Sequence, residues 1–167
     1  NGIEQNDFVI CFFGTIGQFF DLSTVIRAAR SLSRYPRIKF VLAGDGSSLE
    51  RFRSEAADLE NVIFTGWIQQ PQIANILKVA SVGLAPYKKD ANMALPNKVF
   101  EYMSAGLPII SSISGELEPI LESNRCGITY VADQEQQLSD AVLSLFENPE
   151  TEKEMSANAR VVFDANY

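Results

Sequence analysis

Phe8-Val9-Ile10-Cys11-Phe12-Phe13-Gly14 and Ile38-Lys39-Phe40-Val41-Leu42-Ala43-Gly44 are two apolar runs that each end on glycine. Between them Leu22, Val25, Ile26, Ala29 and Leu32 recur at helical spacing and mark one buried helix face. A run rich in Val, Ile and Phe that lacks polar alternation is a strand covered on both faces. A helix joining two such strands is a crossover that leaves them parallel. The same unit continues down the chain. Val62 to Phe64, Val82 to Ala85, Pro108 to Ser112 and Gly127 to Val131 are further strand candidates. Ile73, Ile76, Leu77 and Ala80 mark a second helix face, and Leu138, Ala141, Val142, Leu145 and Phe146 a third. The expected fold is one doubly wound α/β domain over residues 1–167 with a parallel sheet of about six strands. Ser47 with Glu50, and Thr151 with Glu154, predict capping boxes at helix starts, and Asp133 followed by Gln136 predicts a similar cap.

The whole chain narrows the chemistry. It has 167 residues, 46% hydrophobic and 21% charged, as expected for one globular domain. A formal charge of −7 disfavours a nucleic-acid surface, which needs clustered Lys and Arg, but leaves room for a phosphate pocket with one or two cations. Cys11 and Cys126 have no CxxC spacing and histidine is absent, so neither a zinc site nor a His-based triad is expected. No metal and no cofactor is implied, and a reducing cytosol is the default. No apolar run approaches the ~18 residues of a membrane span. The chain opens on Asn1-Gly2-Ile3-Glu4 and closes on Phe163-Asp164-Ala165-Asn166-Tyr167, ends expected of a piece of a longer protein.

In an open parallel sheet, ligands bind outside the carboxyl ends of the strands. The loops there read Gly14-Thr15-Ile16-Gly17-Gln18, Gly44-Asp45-Gly46-Ser47, Thr65-Gly66-Trp67-Ile68, Pro86 to Lys98, and Ser112-Ile113-Ser114-Gly115-Glu116. Glycine lets a backbone approach a ligand closely, and helix N-termini offer unpaired N–H groups to anions, although every α/β fold also needs turn glycines. Gly14-x-x-Gly17 is not a dinucleotide fingerprint, and no glycine-rich run ends in the Gly-Lys-Ser or Gly-Lys-Thr of a P-loop.

The most informative stretch is Leu95-Pro96-Asn97-Lys98-Val99-Phe100-Glu101-Tyr102-Met103-Ser104-Ala105-Gly106-Leu107-Pro108. Asn97 is placed to cap a helix that Gly106 ends, with Glu101 one turn inside. Lys98 and Glu101 are three apart, so a plain surface ion pair worth about 0.2–0.5 kcal/mol would also explain them.

Taken in order, Phe12-Phe13-Gly14-Thr15-Ile16-Gly17, Phe40-Val41-Leu42-Ala43-Gly44-Asp45-Gly46, Val62-Ile63-Phe64-Thr65-Gly66-Trp67 and the stretch from Leu95 to Pro108 resemble one family. They look like the C-terminal domain of a retaining GT-B glycosyltransferase of the glycosyl transferases group 1 (GT4) family, over nearly the whole chain. The resemblance implies that this domain holds a nucleoside diphosphate sugar, with UDP favoured by family frequency. It implies that an N-terminal domain of the same polypeptide presents a glycan or lipid-linked acceptor, at the cytoplasmic face of a membrane. Glu101 matches the second glutamate of the family's E-x7-E motif, which takes the ribose hydroxyls. Gly66, Trp67 and Ile68 match the segment along the base, Gly44 and Asp45 the turn walling that pocket, and Gly14, Thr15 and Gly17 the loop facing the diphosphate. Two departures stand out. Met93 occupies the place of the motif's first glutamate, and the family's cations after the first strand fall at Thr15 and Gln18-Phe19-Phe20. The Pro96-Asn97-Lys98 sequence resembles a subgroup in which Lys98 supplies that charge, which makes it the expected catalytic cation. Glu116 is a further donor-contact candidate, set against a solvated glutamate at a helix start. A half-domain of a nucleotide-sugar 2-epimerase and a non-catalytic nucleotide-binding module are the competing readings.

Overall fold

The computed structural model describes residues 2–91 and 94–167. Its elements alternate as expected up to α6 and close on a second consecutive helix: β1 (Phe8–Phe13), α1 (Leu22–Ser31), β2 (Ile38–Ala43), α2 (Leu49–Glu55), β3 (Val62–Gly66), α3 (Gln70–Val79), β4 (Val82–Ala85), α4 (Asn97–Ser104), β5 (Ile109–Ser111), α5 (Leu117–Ser123), β6 (Gly127–Thr129), α6 (Glu135–Phe146) and α7 (Pro149–Asn166). The strands form one sheet in the order β3-β2-β1-β4-β5-β6, every neighbouring pair parallel. The apolar runs end up as strands with adjusted ends. The fifth shortens to Ile109–Ser111, the sixth to Gly127–Thr129, and the third extends to Gly66.

Strand periodicity divides the core into two layers. Ile10, Phe12, Phe40 and Leu42 face Val25 and Ile26 of α1, Phe52 of α2, and Leu138 and Val142 of α6. Cys11 and Phe13 face the opposite way, against Val99, Tyr102 and Met103 of α4, Leu117 and Leu121 of α5, and Ala159 and Val162 of α7. Because both faces are covered, β1 and β2 are buried almost throughout, which is why their sequences carry so little polar alternation.

The predicted helix starts fare less well. Ser47 and Glu50 form no capping box: α2 begins after Ser48, which makes no side-chain cap. That turn is held by backbone instead, with Ser48 N–H donating to Ile16 O at 3.1 Å and Leu49 N–H to Gly46 O at 3.1 Å. Thr151 and Glu154 lie inside α7, which already starts at Pro149. Asp133 does not cap α6. It adopts φ 64° in the preceding turn and donates its N–H to Asp21 Oδ2 at 3.0 Å. Side-chain caps occur elsewhere. Asp21 Oδ1 accepts the Thr24 N–H at 3.3 Å at the start of α1, and Gln72 Oε1 accepts the Gln69 N–H at 2.8 Å ahead of α3. At its other end α4 closes with a Schellman motif, Leu107 N–H reaching Tyr102 O at 3.0 Å and Gly106 N–H reaching Met103 O at 2.9 Å, with Gly106 at φ 68°.

Gly44 illustrates how closely the loops above the sheet pack. Its φ is 141°, and a Cβ there would run into the carbonyl oxygen of Gly14. Gly44→Ala is therefore expected to cost about 2–4 kcal/mol, from backbone strain and a clash with a main chain that cannot yield. Denaturant unfolding of the two proteins measures it, and a loss below about 0.5 kcal/mol would show that the turn relaxes freely.

Candidate functional site

The strand order reverses between β1 and β4, and those two strands pair only at Ile10↔Val82 and Cys11↔Gly83. Beyond that point they diverge, and Tyr102 from α4 occupies the divergence. Its hydroxyl lies 3.2 Å from Cys11 O and 3.1 Å from Leu84 O, sharing one proton between the two strands. A side chain at Gly83 would collide with the Tyr102 ring.

Lys98, one turn earlier on α4, is only 8% exposed. Its Nζ lies 4.1 Å from the ring centre of Phe12, 3.9 Å from that of Phe20 and 5.5 Å from that of Tyr87. It has no hydrogen-bond partner among the described residues. A Cβ at Gly14 would stand 3.0 Å from it, and Gly14 adopts φ 151°, so glycine there lets the loop after β1 lie close against the lysine. Burial pushes the Lys98 ammonium down to about 7, with the Glu101 carboxylate pulling it back up. Three aromatic faces offset part of the lost hydration, each cation–π contact being worth roughly 0.5–2 kcal/mol. The simple Lys98–Glu101 ion pair is not formed. Among the described residues the ion pairs lie elsewhere, and Glu101 is half-buried without one.

The cage is closed by the segment after β1. Phe20 forms an isolated antiparallel bridge with Tyr87, Lys88 N–H donates to Phe19 O at 3.1 Å, and Asp21 N–H donates to Pro86 O at 2.8 Å. The Phe20 ring packs at 4.8 Å against both Phe12 and Tyr87. The crevice at the order reversal is thus covered. The open cavity, about 550 Å³, lies to one side, over the ends of β4, β5 and β6, between Tyr87, Lys88, Ile113, Glu116 and Tyr130.

The loops holding the predicted residues lie side by side. Gly14 N–H donates to Ala43 O at 3.0 Å, Ile16 N–H to Asp45 O at 2.9 Å, and Gly44 N–H to Gly66 O at 2.9 Å. This backbone chain brings Gly14, Gly44, Asp45 and Gly66 together, with Gly17 half-buried and Thr15 exposed beside them. Trp67 is 69% exposed, so most of its indole faces solvent, and the neighbouring Ile68 is half-buried. Pro96 stands at the N-cap position of α4, and Asn97 is its first helical residue and makes no cap, contrary to expectation. Glu116 stands apart from the others on the rim of the open cavity, at the N-cap of α5. The expectation resting on Met93 falls outside the described residues. Phe12, Phe20 and Tyr87 went unread as site residues, because aromatic residues beside strand ends look like core.

A parallel sheet in this order, with glycine loops and a buried cation at its reversal point, defines a Rossmann-like half-domain of the GT-B type. The chain belongs to the glycosyl transferases group 1 family, whose profile matches residues 1–162. It is 24% identical over 163 residues to an alpha-D-kanosaminyltransferase of Streptomyces kanamyceticus, covering 95% of this chain and 42% of that one. It is 29% identical over 107 residues to a putative teichuronic acid biosynthesis glycosyltransferase, TuaH, of Bacillus subtilis, covering 62% of this chain and 26% of that one. The chain therefore spans less than half the length of these relatives. Among solved structures, Anabaena HepE in complex with UDP and glucose superposes with a TM-score of 0.80 at 17% identity, over 97% of this chain and 45% of that one. An isolated C-terminal domain of a group 1 protein (LpcC) from Francisella tularensis superposes with a TM-score of 0.79 at 19% identity, over 99% of this chain and 88% of that one.

Proposed function

We propose that this chain is the donor-binding half of a two-domain glycosyltransferase. It holds a nucleoside diphosphate sugar, UDP being the favoured nucleotide, for transfer with retention to a glycan or lipid-linked acceptor presented by an N-terminal domain. The carrying observation is Lys98, a buried cation with no protein partner among the described residues, at the first turn of α4 and against the loop after β1. An ammonium in that state lacks an anion, and a diphosphate supplies one. As the nucleoside diphosphate leaves, charge grows on the bridging oxygen. The α4 N-terminus contributes about 0.3–1 kcal/mol against that charge and a charge-assisted hydrogen bond from Lys98 about 1.5–3. On this reading Glu101, one turn deeper, takes the ribose hydroxyls and Gly66-Trp67-Ile68 lies along the base, both carried by the motif resemblance.

The relatives' names support transfer of a sugar, and structural neighbours solved with UDP support the nucleotide. Retention and GT4 membership rest on the motif resemblance. No helix among the described residues is long and apolar enough to cross a membrane. A thermal-shift series with UDP, GDP and ADP tests the reading. A ligand at a hundred times its dissociation constant adds about 2.7 kcal/mol, a shift of roughly 5–10 °C at this size. One nucleotide is expected to stand out, and no shift from any of the three at millimolar concentration would overturn the proposal.

A further inference from the structure

Lys98 cannot touch an anion while its aromatic cage is shut. Its Nζ is buried, its nearest ring is Phe20 at 3.9 Å, and Phe20 is held by its bridge to Tyr87. The segment carrying Phe20 is tethered at both ends and little between. Ile16 is fully buried and bound by backbone to Asp45 and Ser48, and Asp21 is buried as the cap of α1. From Gly17 to Phe20 the side chains are half-buried or exposed, and Phe19 stands 56% exposed. Among the described residues the segment's backbone tie is the Phe20–Tyr87 bridge, made of two hydrogen bonds, Lys88 N–H to Phe19 O and, at the Asp21 anchor, Asp21 N–H to Pro86 O. Such a segment can lift without unfolding either anchor.

We infer that Gly17–Phe20 is a gate whose Phe20 ring keeps Lys98 desolvated in the empty site, and that a nucleoside diphosphate enters as the ring withdraws and Lys98 takes a proton from solvent. This rests on the donor-site reading above. Among the described residues, few titratable groups face Lys98. Glu101 on α4 favours the charged form, the Cys11 thiol on β1 is pushed up to about 12 by its own burial, and the Tyr87 hydroxyl beyond β4 is likewise pushed up to about 12. Neither Cys11 nor Tyr87 releases a proton near neutrality. With Lys98 held down at about 7, the empty site is largely uncharged there at pH 8, and a bound diphosphate restores the ammonium.

The test is calorimetry of UDP binding to this chain at pH 8, in buffers of different ionisation enthalpy. Uptake of about 0.9 proton per UDP is expected, falling to about 0.1 at pH 6, and affinity should weaken by up to tenfold per pH unit above 7. Lys98→Met is expected to bind UDP without that uptake. Phe20→Ala, which keeps the lysine but opens the cage, is expected to at least halve the uptake, because the ammonium is then already hydrated. UDP binding with equal uptake in the native chain and Lys98→Met would overturn the protonation step and leave the donor-site reading standing. Unchanged uptake in Phe20→Ala would overturn the gate. No binding of UDP, GDP or ADP at millimolar concentration would overturn both this inference and the reading beneath it.

Discussion

Lys98→Met is expected to make the domain more stable and, on the donor-site reading, the full-length transferase about 10²–10³-fold slower. The two effects have one cause. In the folded chain Lys98 is a desolvated amine among three rings, without a hydrogen-bond partner among the described residues, a state that costs about 1–3 kcal/mol against a well-packed thioether of similar length. Removing it should raise the melting temperature by roughly 3–10 °C at neutral pH. The pH dependence carries a second signature. The ordinary lysine value is 10.5 and the folded one about 7, so between those limits the unfolded chain holds a proton that the folded chain lacks. Stability should therefore rise with pH from 7 towards 10 and fall as pH drops through that window, and Lys98→Met should lose this slope. In the two-domain transferase proposed above, losing a donor to the leaving group's charge would cost about 10²–10³ in kcat. Donor turnover at saturating substrate is the readout. A variant that transfers sugar at the native rate would reduce Lys98 to a packing residue.

Glu101→Ala is expected to weaken UDP binding to the isolated domain by about 10–150-fold, the value of a charge-assisted hydrogen bond of 1.5–3 kcal/mol. Calorimetry with UDP and with its 2′,3′-dideoxy analogue, which lacks both ribose hydroxyls, separates recognition from mere electrostatics. If the carboxylate accepts from the ribose, the analogue should bind the native domain more weakly and lose little further affinity in the variant. Equal losses for both ligands would mean that Glu101 acts only through its charge on Lys98.

Much of the scaffold was readable in advance, and for a definite reason. Strands buried on both faces leave uninterrupted apolar runs, and the α1, α3 and α6 faces leave a helical repeat, so element type follows from local pattern. Helix starts were misjudged where tertiary bonds overrule local ones. Ser47 and Glu50 look like a box, but the backbone pairing of Ser48 with Ile16 sets where α2 begins. The Gln69–Gln72 reciprocal contact escaped notice because glutamine is a less familiar capper, although Pro71 in the first turn was a usable sign. Around the site, Gly14, Gly44, Asp45 and Gly66 were recognisable as neighbours through motif spacing. The cage was not. Phe19-Phe20 registered only as the absence of a cation, and the pairing of Phe20 with Tyr87 joins residues far apart in sequence by contacts that no periodicity encodes.

The phenol wedged between the first and fourth strands has a consequence for inhibitor design and for engineering alike. By laying its ring over Gly83 and sharing one proton between carbonyls of two sheet neighbours, Tyr102 ties the buried frame together and leaves entry to surface residues. Alterations that retune access thus belong at the rim, while the frame beneath can be treated as a constant.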